Sequence, residues 1–354
     1  MLSPSKRNGP LIPFPFILAS ILSTLPPSQT RAFAADRPIA DAFEANRLLG
    51  RGINLGNALE APSEGEWGLT LKAGYFEAIK NAGFDSVRIP VRWANHCGEA
   101  PLFAVDPKFF ERVDWAVDQA LSKGLVVVLN VHHDDPSYKE PAKNIPRLAA
   151  TWRQVGARYK DRSDRLFFEL LNEPNGEFTD LRWQQAFPTL LASVRGSNPT
   201  RTVIIGPGHW NNLEHLRALE LPANDRRIIA TIHYYSPFQF THQGASWVHG
   251  SDAWRGKTWA GTESEREALR LDFEKAAAWA KGHDRPLFLG EFGAYSAADL
   301  DSRATWTFAV AREAERLGIS WAYWEFAAGF GAYDPALDAW RPALLKALIP
   351  PSGK

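Results

Sequence analysis

Eight short apolar runs recur along this chain, near-continuous rather than alternating, with room for a helix after most of them. They are RGINLG (51–56), DSVRIPV (85–91), LVVVLNVHH (125–133), RLFFELLNEP (165–174), RTVIIGPG (201–208), RIIATIHYY (227–235), PLFLGEFG (286–293) and ISWAYWEF (319–326). A strand that is apolar on both faces must be covered on both, which is the condition of a parallel sheet layered with helices. The stretches between, such as 107–123 and 264–281, space their apolar residues by three and four, and several close on glycine (Gly83, Gly124, Gly318), the residue favoured just past a helix end. Eight strand-plus-helix units in series predict an α/β fold, a single (β/α)8 TIM barrel. The competing arrangement is an open doubly wound sheet. That sheet is expected to carry a GxGxxG turn after its first strand, and GINLGN offers only two glycines spaced GxxxG.

Composition narrows the partners. With 45% hydrophobic residues over 354, the chain can bury a large core. Lys plus Arg and Asp plus Glu are 40 each, so charge gives no reason to expect nucleic acid or an anionic membrane surface. Residues 1–34 read as a signal peptide: Lys6 and Arg7 form a basic start, LIPFPFILASILSTL an apolar centre, and Ala32–Phe33–Ala34 a small-residue cleavage site. That reading leaves 35–354 as the barrel domain, secreted or periplasmic, with no membrane attachment once the signal is removed. The single cysteine, Cys97, allows no internal disulfide. A monomer is expected.

In such a barrel the working residues sit at the C-terminal ends of the strands. Read in order, those ends offer Asn54 and Asn57; Arg88, Arg92 and Trp93; His132 and His133; Asn172 and Glu173; His209, Trp210 and Asn211; His233 and Tyr235; Glu291; and Trp324 and Glu325. The central pair is Glu173 and Glu291, at the ends of strands four and seven, where the barrel would face them across its mouth. Two carboxylates roughly 5–5.5 Å apart are what retaining glycoside hydrolysis requires, one ionised to attack and one protonated to assist the leaving oxygen. Their environments must push the two pKa values apart. Arg88 is positioned to keep the attacking carboxylate anionic, Tyr235 to donate a hydrogen bond to it, and His233 to tune the acid. Pro174 is expected to hold Glu173 in an extended backbone.

These motifs, VRIPVRW, LNVHHDD, LLNEP, IHYY, LGEFG and WAYWE, fall in register over roughly residues 45–345. In that set the chain resembles glycoside hydrolase family 5, the cellulase A family. The resemblance implies a glycoside hydrolase catalytic domain with Glu173 as acid/base and Glu291 as nucleophile. It implies that Asn172 meets the sugar 2-hydroxyl, that Arg88 and Tyr235 hold the nucleophile, that His132 and His233 bind the same sugar or support the glutamates, and that Trp324 stacks on it. His133 is expected to line the cleft. The implied activity is a retaining endo-β-1,4-glucanase acting on a β-glucan polysaccharide or oligosaccharide, without cofactor. The same core serves mannanases, mixed-linkage glucanases and xyloglucanases, so the core motifs leave the glycan open.

Two other readings of the residues stand beside this one. A metal-dependent hydrolase is suggested by His132, His133, Asp134 and Asp135, but neighbouring residues on a strand point to opposite faces, so no metal is expected. A non-catalytic carbohydrate-binding barrel would not need both glutamates. Of the 14 tryptophans, Trp115, Trp152, Trp183 and Trp306 fall in helical stretches and are expected in packing. Trp67, Trp93, Trp210, Trp247, Trp254 and Trp259 fall in loops above the mouth, with Trp210 and Trp247 the first expected to stack on sugar. No Ser/Thr/Pro linker or binding module is read after the last helical pattern, so soluble or amorphous chains are the expected substrate.

Overall fold

The computed structural model describes residues 38–351; the signal-peptide reading of 1–34 lies outside them. Eight parallel strands close into a barrel in chain order: β1 (Arg51–Asn54), β2 (Ser86–Ile89), β3 (Val126–Asn130), β4 (Leu166–Glu169), β5 (Val203–Ile205), β6 (Ile228–Tyr234), β7 (Leu287–Phe292) and β8 (Ser320–Tyr323). The closing seam is real pairing, with Arg51 opposite Trp321 and Ile53 opposite Tyr323. Helices Ala73–Ala82, Pro107–Ser122, Pro141–Tyr159, Asp180–Arg195, Glu263–Gly282, Leu300–Arg316 and Pro342–Leu348 follow seven of the strands. The fifth unit departs from the expected pattern: after β5 the chain makes only a four-residue helical turn, Gly208–Asn211, and a 3-10 helix, Leu213–Ala218. Its segment is short and begins in a polar Asn-Asn-Leu-Glu turn, which leaves no amphipathic stretch long enough for a full helix.

The strand residues divide between two cores. Val127, Leu129, Phe168, Val203, Ile228, Leu287 and Leu289 pack outward against the helices. Val126, Val128, Phe167, Ile204, Ile229, Phe288 and Ala322 form a separate interior cluster, as the two-residue alternation of a strand dictates. Helix Ala42–Leu49 supplies Ala42, Ala45 and Leu49 to that interior cluster and so plugs the bottom of the barrel. Further along five of the strands the inward positions turn polar: Asn54, Arg88, Asn130, Glu169 and His233 are all buried. A register shift between Ile232 and His233 brings His233 opposite Glu291. The barrel is thus apolar at its base and ionic at its top. Among the described residues no helix is long and apolar enough to cross a membrane.

Candidate active site

The top of the barrel opens into a cavity of about 830 Å³. Glu173, Glu291, His132, His133, Tyr235 and Trp324 line it, as expected from the strand ends, together with Asn57, Glu60, Trp67, His242, Trp247, Tyr295 and Phe330. A depression on the side of the barrel, among helices Glu263–Gly282, Leu300–Arg316 and Pro342–Leu348, is lined by Phe308 and arginines and brings together no comparable acid pair.

Arg88 organises the floor. Its Nε and Nη2 bind both oxygens of Glu169, at 2.6 and 2.8 Å, its Nη1 reaches Glu291 Oε1 at 2.7 Å and Asn54 Oδ1 at 2.8 Å, and its Nη2 also reaches Asn172 Oδ1 at 2.6 Å. The guanidinium is fully buried. Burial disfavours its charge, but Glu169 and Glu291 more than offset that and hold it above its ordinary value. Glu169 was visible in the sequence as a charge inside an apolar run, yet only the inward alternation of β4 explains it. Asn54, in turn, donates to the carbonyls of Gly290, Ala322 and Tyr323, tying β1 to β7 and β8 beneath the site.

Glu173 and Glu291 meet as expected. One oxygen of each, with a ring nitrogen of His233, lies within 4.8 Å of the others. His233 Nδ1 is 2.7 Å from Glu173 Oε1 and 3.6 Å from Glu291 Oε2. Asn211 donates to His233 Nε2 at 3.3 Å, which leaves the ring proton on Nδ1, facing the acids. Burial holds His233 down at about 4, so the ring is neutral. Tyr235 donates to Glu291 Oε2 at 2.9 Å.

The two carboxyls are treated differently. Burial pushes Glu173 up to about 8, with Arg88 opposing and Glu169 reinforcing the shift. Burial also raises Glu291, but the Arg88 guanidinium and the Tyr235 hydroxyl pull it back. Glu173 is thus a held acid at neutral pH, and Glu291 is the carboxyl braced by Arg88 and Tyr235.

Glu173 does not keep the extended backbone expected before Pro174: its φ is 46°. The proline blocks the right-handed helical region, as expected, but the turn that brings Glu173 back over the barrel needs a left-handed residue there. Asn175 Nδ2 donates to the Glu173 carbonyl at 2.7 Å and Tyr138 OH to the Asn172 carbonyl at 2.6 Å, holding that turn.

The aromatic walls follow the sequence in part. Trp324 stacks on His132 with ring centroids 5.5 Å apart and planes 6° apart. A Cβ on Gly56 would meet its indole at 2.9 Å, which accounts for the second glycine of GINLGN. Trp67 lies edge-on to His133 at 5.5 Å under the Arg92 guanidinium. Trp247 is 60% exposed and packs against Tyr295. Trp210 is 55% exposed but stands outside the cavity lining. Trp93 and Trp259 are buried and not mouth residues: Trp93 donates its Nε1–H to the Asn130 carbonyl at 2.8 Å and packs on Phe110. Sequence reasoning missed Glu60 and His242 as well. Burial raises Glu60 to about 7 and lowers His242 to about 4. No metal cluster among the described residues includes His132 or His133.

A closed (β/α)8 barrel that holds two glutamates this close at its strand ends, one protonated and one braced, between aromatic walls, defines a glycoside hydrolase. The chain belongs to the cellulase family, glycosyl hydrolase family 5, whose model matches residues 51–329. It is 38% identical over 312 residues to Endoglucanase H of Acetivibrio thermocellus, covering 88% of this chain but only 32% of that protein. With Endoglucanase A of Paenibacillus barcinonensis it shares 28% identity, covering 84% of this chain and 85% of the relative. The endoglucanase Cel5A of Thermotoga maritima superimposes with a TM-score of 0.86 at 46% identity, covering 87% of this chain and 100% of that one.

Proposed function

We propose that this protein is a retaining endo-β-1,4-glucanase. The observation that carries the reading is the Glu173–Glu291 pair, within 4.8 Å through one oxygen each, with Glu173 pushed up to about 8 by burial and Glu291 held by Arg88 and Tyr235. Glu291 attacks the anomeric carbon while Glu173 gives its proton to the departing glycosidic oxygen. The carbon–oxygen bond breaks and a glycosyl ester forms on Glu291. Glu173, now a carboxylate, takes a proton from water, which attacks the same carbon and releases Glu291. Arg88 binds the Oδ1 of Asn172, so the donating end of that amide is the one left for the sugar 2-hydroxyl. Trp324 supplies the platform beneath the reacting sugar, and Trp67 and Trp247 extend the groove on either side.

The glucan preference rests on the endoglucanase relatives. Thermotoga maritima Cel5A has been solved with cellobiose and also with mannotriose, and on that ground mannan is a second substrate. The test is reducing-sugar release from carboxymethyl cellulose, barley mixed-linkage glucan, xyloglucan, mannan and laminarin, with wild type beside Glu173→Ala and Glu291→Ala. Release from carboxymethyl cellulose that both variants abolish is the expected result. Release from mannan alone overturns the substrate and keeps the mechanism; activity surviving in Glu291→Ala overturns the mechanism.

The same reading takes residues 1–34 as a signal peptide and 35–354 as the catalytic domain, exported to the periplasm or medium. Its support is the basic, apolar and small-residue order of the segment. N-terminal sequencing of the exported protein tests it, with a mature start near Ala35 expected.

A further inference from the structure

We propose that Asp180, His209 and His215 form a second site, away from the acid pair, that binds a borderline divalent cation such as Zn²⁺ and clamps the segment leading from Glu173. Asp180 opens helix Asp180–Arg195, His209 lies in the turn after β5, and His215 lies in the 3-10 helix Leu213–Ala218. One ligand atom from each falls within 4.8 Å of the others. His215 Nδ1 is 2.8 Å from Asp180 Oδ2, and the rings of His209 and His215 lie 3.8 Å apart. The second Asp180 oxygen, Oδ1, is buried without a hydrogen-bond partner, which a carboxylate rarely tolerates unless something else takes its lone pair.

The backbone is shaped around this cluster. A Cβ on Gly208 would come within 2.6 Å of Asp180 Oδ1. His209, Trp210 and Asn211 follow with φ of 51°, 59° and 55°, three successive non-glycine residues in the left-handed region that side chains avoid. Such a turn is kept where the rest of the structure over-determines it, often at a ligand clamp. Its effect here is to deliver His209 to Asp180 and His215. His209 is exposed, so its ring is free to turn out of the stack and onto an ion.

Two imidazoles and one carboxylate, with a position left for water, are the donor set of a zinc site rather than a calcium or magnesium site, which would want oxygen ligands. The active-site trio of Glu173, His233 and Glu291 is equally compact, but Arg88 Nη1 already stands 2.7 Å from Glu291 and repels a cation. The peripheral site reaches the reaction through the backbone: the Trp210 N–H donates to the Pro174 carbonyl at 3.2 Å, next to Glu173.

The experiment is titration of the metal-free full chain with ZnCl₂ by calorimetry and thermal unfolding, using wild type, His209→Ala and His215→Ala, with MgCl₂ as control. Wild type is expected to bind one Zn²⁺ and to gain about 4 °C in Tm at a hundredfold excess over Kd. Each variant should bind at least about 100-fold more weakly. Absence of zinc binding to wild type overturns the proposal. So does binding that persists in both variants and abolishes glucan hydrolysis, which would put the metal on the active-site trio.

Discussion

Replacing Glu169 by glutamine tests the electrostatic account at its centre. The perturbation keeps the side chain's shape and removes one charge from a pair that is sealed from solvent, with Arg88 0% and Glu169 1% exposed. Taking one partner from a buried pair leaves the other charge uncompensated, at a cost of about 3–5 kcal/mol. Unfolding a chain of this size has an entropy of about 0.7 kcal/mol/K, so Tm should fall by about 4–7 °C. A second effect separates this from ordinary destabilisation. Glu169 is one of the charges that hold the Glu173 proton on, and Arg88 opposes it. With Glu169 neutral, Glu173 loses its proton at lower pH, and the alkaline limb of kcat/KM should move down by on the order of one unit. The assays are thermal unfolding at pH 6 and kcat/KM on soluble glucan from pH 4 to 10. A variant with unchanged Tm would refute the buried pair. One with lowered Tm and an unmoved alkaline limb would refute the coupling to Glu173.

Two further outcomes follow from the same geometry. The wild-type profile of kcat/KM should be bell-shaped: Glu173 must stay protonated, so activity falls as pH rises past about 8, while Glu291 must be ionised, and burial sets the acid limb above the ordinary carboxylate value. Activity still rising at pH 9 would mean that another group is the acid. Trp247→Ala should leave Tm within about 1 °C, because the ring is 60% exposed, yet raise KM on polymeric substrate several-fold through loss of a stacking surface worth about 1 kcal/mol; equal KM values for the two proteins would remove Trp247 from the groove.

The barrel was legible because its strands are buried on both faces, which writes eight apolar runs directly into the sequence. Asn172, Glu173, Glu291 and Tyr235 were legible because polar residues at the ends of such runs have no packing reason to be there. Glu169 was harder, since it lies within a run and its meaning depends on which face of β4 it takes. Trp93 and Trp259 lie in loop sequence, but a loop can fold its indole inward, and only tertiary packing decides that. The left-handed turn at Glu173 ran against the expectation drawn from Pro174, because the proline excludes one backbone region without choosing among the others. Helix Ala42–Leu49 closes the barrel base from outside the repeating pattern, so the repeat could not announce it.

Charge counting explains why Glu173 is the one that keeps its proton. The barrel top holds Glu169, Glu173 and Glu291 around one buried cation, Arg88, and burial lowers His233 to about 4, so the histidine adds no second positive charge at neutral pH. Ionising all three carboxyls would leave two uncompensated negative charges in a desolvated space, which costs more than raising one pKa. The neutral group must be the carboxyl that Arg88 serves least. Arg88 grips both oxygens of Glu169 and one of Glu291, and Tyr235 takes another oxygen of Glu291. Glu173 has only the neutral ring of His233. Glu169 does no bond-making, yet without it a single cation would face only two carboxyls and the pressure to protonate one of them would ease. On the proposed mechanism, the division into acid and nucleophile is therefore set first by burial and reinforced from below by a third glutamate that never meets the substrate.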